Sequence, residues 1–125
     1  MNLKRHIDKI NEILSADYDH ECPDAIRSNK FVVAIRKMLK EIFPDCEIVS
    51  VNGYCYASGF IKNSEGKYVY FATEDYRWPQ GSSWKNNILY RTAKDERDFH
   101  GGSNHYADLE YLQECVYELF NQQEV

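Results

Sequence analysis

Arg91, Thr92, Lys94 and Arg97 bring two guanidinium forks, a hydroxyl and an ammonium into a short run, and Gly101-Gly102-Ser103-Asn104 follows after Asp98, Phe99 and His100. That set suits phosphate, because guanidinium binds phosphate oxygens bidentately and hydroxyls complete the shell. Glycines let a backbone approach a ligand closely, and the free N–H groups at a helix start attract an anion. Ser103 and Asn104 can read a ribose or a base edge, and Trp78, Trp84, Tyr90, Phe99 and Tyr106 can stack a base. The predicted ligand-binding set is Tyr90, Arg91, Thr92, Lys94, Arg97, Asp98, Phe99, Gly101, Gly102, Ser103, Asn104 and His105.

Other readings of the same stretch compete with that one. Arg91 can pair with Asp98 or a strand neighbour, leaving the glycines only to shape a turn. A metal reading takes His100 and His105 with His20, Cys22 or Asp98, but the spacing matches no zinc pattern. A catalytic reading makes His100 or His105 a general base oriented by Asp98 or Asp95. No Walker-type lysine follows the glycines, and no dinucleotide fingerprint is complete. The expectation is therefore binding without turnover, with no catalytic residue, no metal and no cofactor.

The elements that must position these residues follow from hydrophobic period. Leu3, Ile7, Ile10, Ile13 and Leu14 recur at helical spacing, predicting an amphipathic helix over 2–16. Pro23 and Asp24 open a second, from about Ala25 to Ile42. Its apolar side is Ile26, Phe31, Ile35, Met38, Leu39 and Ile42; its other side is basic, with Arg27, Lys30, Arg36, Lys37 and Lys40. Pro44 stops it. Strands are expected at 47–51, 54–62, 67–73 and 86–94, with Asn52-Gly53 as a hairpin turn and Glu74 to Ser83 as an exposed connection. A last helix runs from about Ala107 to Asn121, with Asp108 and Glu110 at its positive end. The expected fold class is α+β: an antiparallel β-meander of four or more strands flanked by N-terminal and C-terminal helices. It forms one domain over 1–125, with residues 1–22 as helix and link. Strand alternation puts Arg91 on one face and Thr92 and Lys94 on the other. A single ligand therefore needs a bulge, or a site shared between surfaces or subunits.

The totals bound the partners. A net charge of -5 argues against bulk nucleic acid and anionic membranes, while leaving room for a small anion in a local basic pocket. Four cysteines without a Cys-x-x-Cys, and no apolar run resembling a signal or a span, point to a cytoplasmic protein with reduced thiols. Ten tyrosines and an amphipathic first helix supply material for homo-oligomer interfaces.

In size and plan, over about residues 24 to 122, the chain resembles the phage-encoded nucleotide sponges that counter Thoeris-type bacterial immunity. Leu89-Tyr-Arg-Thr-Ala-Lys94 and Asp98-Phe-His-Gly-Gly-Ser-Asn104 are the stretches most like a phosphate and ribose site. The resemblance implies a small, non-catalytic, oligomeric protein of the host cytoplasm that sequesters a phosphorylated cyclic nucleotide signal and so blunts anti-phage defence. The alternatives are an acidic inhibitor of a host nucleic-acid-handling protein and a phosphodiester-acting enzyme.

Overall fold

The computed structural model describes residues 2–19, 21–78 and 84–122. The order is α1 (Leu3–Ser15), α2 (Pro23–Ile42), β1 (Glu47–Asn52), β2 (Ser58–Lys62), β3 (Tyr68–Ala72), β4 (Ile88–Ala93), β5 (His105–Ala107) and α3 (Leu109–Gln122). The strands form one antiparallel meander in sequence order, so the fold is α+β as the period predicts. The fifth strand has no sequence signal of its own, being three residues directly after the glycine loop.

One face of the sheet carries Ile48, Ile61, Val69, Phe71, Ile88 and Tyr90, all buried. Phe31, Ile35, Met38, Leu39 and Ile42 of α2 and Leu112, Val116 and Phe120 of α3 close over them in one continuous core. These are the helical stripes that the hydrophobic period predicts, and burying them drives the docking. Helix α1 rides on α2. His6 meets Glu41, and Arg27 donates to the Ala16 carbonyl at 2.9 Å, so the two helices run antiparallel. Asn2 caps α1 by accepting the Arg5 N–H at 3.1 Å.

Two expectations need correction. The strand expected from Tyr54 starts only at Ser58, because the β1–β2 register shifts after Val49. The Cys55 N–H donates to the buried Ser28 hydroxyl at 2.8 Å, which pulls that stretch onto α2 and turns Tyr54 and Tyr56 outward. Trp84 is also no stacking platform. It is 4% exposed, lies edge-on to Phe31 at 5.8 Å, and donates its indole N–H to Asn11 of α1 at 3.0 Å. Of the expected 74–83 connection, residues 79–83 lie outside the described residues.

Candidate functional site

The polar stretch around Arg91 lies over the second face of the sheet. Phe60, Tyr70 and Arg91 are register partners across β2, β3 and β4, so their side chains share that face. Phe60 is fully buried although no helix covers it. Its cover is the 94–104 loop, which folds back so that Phe99 packs on Phe60 at 5.4 Å and on Tyr70 at 6.0 Å. Arg91 pins the loop down. Its guanidinium lies 4.4 Å from the Tyr70 ring centroid, one arm donates to the Phe99 carbonyl, and the other donates to Asn104 Oδ1 at 3.2 Å. Its Nε is buried and has no hydrogen-bond partner.

Of the expected glycine cradle, one glycine N–H turns inward, and the chain's own Asp98 takes it. Asp98 accepts the N–H groups of Lys94 (2.9 Å), His100 (3.2 Å) and Gly101 (2.7 Å). A Cβ on Gly101 would collide with that carboxylate. The Lys94 amide first, then those of His100 and Gly101, hold the Asp98 carboxyl below its ordinary value against a smaller opposing effect of desolvation. A depressed folded pKa stabilises at pH values above the unfolded pKa, and that stabilisation disappears as pH falls through the folded value. In urea melts, Asp98→Ala is therefore expected to be less stable than wild type at neutral pH. The gap should narrow once pH drops below about 4, where unfolded Asp protonates; a gap constant with pH would show that the ionised cap is not what matters.

The helix-start component of the cradle is absent. β5 intervenes, and α3 begins only at Leu109, with Asp108 Oδ1 accepting the Asn87 N–H at 3.4 Å.

The twelve predicted residues divide between two faces. Arg91, Phe99 and Asn104 gather on the outer face, with Lys94, Arg97 and Ser103 exposed around the loop. Tyr90 and His105 are register partners on the helix-covered face and stack at 5.3 Å. Burial first, then the Cys115 thiol, push the Tyr90 hydroxyl up to about 12, so it stays neutral. Thr92 alternates to that side as well, against Gly102. His100 and Asp98 meet only through the His100 backbone N–H, so no His–carboxylate side-chain dyad forms there. Among the described residues no three His, Cys, Asp or Glu groups lie together as a metal set, and His20 of the metal reading lies outside the described residues. Among the described residues no disulfide joins the cysteines, and no described helix is long and apolar enough to cross a membrane.

Sequence reasoning misses Tyr70 as the ring beneath Arg91 and Phe60 as the ring beneath Phe99, because strand pairing has to bring three strands into register first. It finds positive charge on the α2 face but misses the concavity that this charge lines together with α1. A groove of about 1160 Å³ between α1 and α2 is rimmed by Arg5, Lys9, Lys30, Lys37 and Lys40. The α2 lysines are legible as a basic face; the α1 contribution is not.

Compared with family models, curated proteins and solved structures, the chain has no significant match.

Proposed function

We propose that this protein captures a small phosphorylated nucleotide without converting it, using the outer face of the sheet. One observation carries the reading: the Arg91 guanidinium lies over the Tyr70 ring with its Nε unsatisfied, beside a half-exposed Phe99 ring and within reach of Asn104. A ring, a guanidinium and an amide side by side offer a stacking surface, a charge and a hydrogen-bond reader. Buried polar groups without partners are rare, and an unpaired Nε on a guanidinium is an unmet donor. A phosphate that replaces the Phe99 carbonyl as Arg91's partner exchanges a neutral acceptor for a charged one. Because Asp98 holds the Gly101 amide, the phosphate meets side chains here (Arg91, Lys94, Arg97), with Ser103 and Asn104 turned to the ribose or base.

Calorimetry with cyclic ADP-ribose isomers and cyclic di- and trinucleotides tests this. Micromolar binding is expected, with intact ligand recovered after heat denaturation. Arg91→Ala should weaken binding at least tenfold, or about 1.4 kcal/mol. Arg91→Lys, which keeps the charge and loses the fork, should fall between. Heat from none of these ligands at micromolar protein overturns the proposal, and product formation abolished by His100→Ala would make the protein an enzyme instead.

A second reading, inhibition of a host nucleic-acid-handling protein, is supported by a separate aromatic cluster. Tyr54, Tyr56 and Trp78 are exposed at 50%, 38% and 65%, and the Arg77 guanidinium stacks 5.5 Å from the Tyr54 centroid. Tyr, Trp and Arg are the residue types that dominate binding energy at protein interfaces. Under this reading Trp78→Ala and Tyr54→Ala abolish the activity and Arg91→Ala does not.

A further inference from the structure

The groove between α1 and α2 is unlike the rest of the surface. The protein carries a net charge of -5, yet Arg5, Lys9, Lys30, Lys37 and Lys40 converge on this one concavity. Its floor is apolar, with Ile13 and Ala34 half-buried and Val33 52% exposed. Lys30 rests over the Tyr18 ring at 5.1 Å, while Lys9, Lys37 and Lys40 have no carboxylate partner among the described residues. The groove's one carboxylate, Glu41, is already tied to His6.

The shape of this charge specifies its complement. Lys30, Lys37 and Lys40 are spread over about 15 Å of α2, at 1.5 Å per residue. A single phosphate meets one cluster of donors, whereas a row of cations along an apolar trough meets a row of anions on an amphipathic rod. Among the described residues no Phe, Tyr or Trp ring lines the groove to hold a base, and its one imidazole, His6, is tied to Glu41.

The matching rod is on the molecule's own surface. Glu110, Glu114 and Glu118 recur every four residues along α3 and are all exposed, in a stripe about 12 Å long. Tyr111, 52% exposed, stands beside the stripe and offers an aromatic ring with apolar faces. Acidic stripe and tyrosine answer the cationic rim and the bare Val33 floor in sign, in length and in having apolar surface to cover.

We propose that the α1/α2 groove is the seat for helix α3 of a second copy of this chain. Tyr111 packs toward Val33, and the three glutamates meet Lys9, Lys30, Lys37 and Lys40. Groove and α3 are different surfaces, so each copy offers both halves of the contact. The assembly then closes as a reciprocal dimer or a ring, or propagates head to tail. Part of the attraction is screened by salt. This assembly does not depend on the nucleotide reading, and either can fail alone.

A charge swap tests it by sedimentation velocity. Wild type is expected to associate at low ionic strength and to dissociate as salt is raised. Lys37→Glu/Lys40→Glu cancels the groove's net positive charge and sets new carboxylates against the acidic α3; Glu110→Lys/Glu114→Lys/Glu118→Lys makes groove and α3 both basic. Each variant alone should dissociate at least tenfold more readily than wild type while keeping the wild-type circular dichroism spectrum. An equimolar mixture of the two should assemble again, because each then supplies the surface the other lacks. Wild type that stays monomeric at every concentration overturns the proposal and leaves the groove to a foreign acidic helix. Assembly indifferent to both variants, or variants that fail to rescue each other, overturns it equally.

Discussion

Phe31→Ala is expected to be the most damaging single substitution in the chain, costing about 3–5 kcal/mol and lowering Tm by about 12–20 °C in a thermal melt. Phe31 has no exposed surface, and its ring meets two others edge-on, Tyr76 at 5.0 Å and Trp84 at 5.8 Å. Truncation removes the buried ring area and also leaves a cavity between α2 and the segments that carry Tyr76 and Trp84. Trp84 is held to Asn11 of α1, so the loss spreads to the docking of the first helix. A change of less than about 1 kcal/mol, the range of surface substitutions, would mean that Phe31 does not hold these layers together.

Gly102→Ala is expected to cost about 3 kcal/mol, against roughly 1 for Gly66→Ala. Both glycines have positive φ, +72° and +81°, so both substitutions force a side chain into the left-handed region. Only Gly102 also has a neighbour in the way. A Cβ there would stand 2.8 Å from the Thr92 carbonyl oxygen and 3.1 Å from its nitrogen, which belong to β4 and cannot swing aside; around Gly66 nothing lies within 4 Å. Paired urea titrations measure the difference. Equal losses would show that the loop does not press against the strand.

What can be read in the sequence tracks how local its physics is. The helices are legible because a 3.6-residue period is written within each segment, and Phe31, Ile35, Met38, Leu39 and Ile42 are buried as that period requires. Asn52-Gly53 signals a chain reversal, but not a two-residue turn: Asn52 stays in β1 opposite Ser58, and the connection runs through 53–57, where the distant Ser28 hydroxyl captures the Cys55 amide. Trp84 has the same kind of aromatic surface as Phe99; only tertiary packing buries one and leaves the other half-exposed. Asp98 is expected in the ligand-binding set, with pairing to the Arg91 side chain as the competing reading. It caps three backbone amides instead, a short-range habit of aspartate in loops that depends only on residues close by in the chain. Arg5 and Lys9 give no signal, because a charge on the polar side of an isolated helix looks solvated until a second helix is laid alongside it.

The loop folded over Phe60 bears on how such a sheet should be recognised at all. An antiparallel meander with helices on one side ordinarily betrays itself by wet residues on the other, whereas strands apolar on both sides suggest a parallel sheet sandwiched between helices. Here β2 reads Ser-Gly-Phe-Ile, with both Phe60 and Ile61 sealed from solvent, one beneath a loop and one beneath helices. An irregular segment stapled by one arginine thus writes into the strands the hydrophobic signature of a missing helical layer.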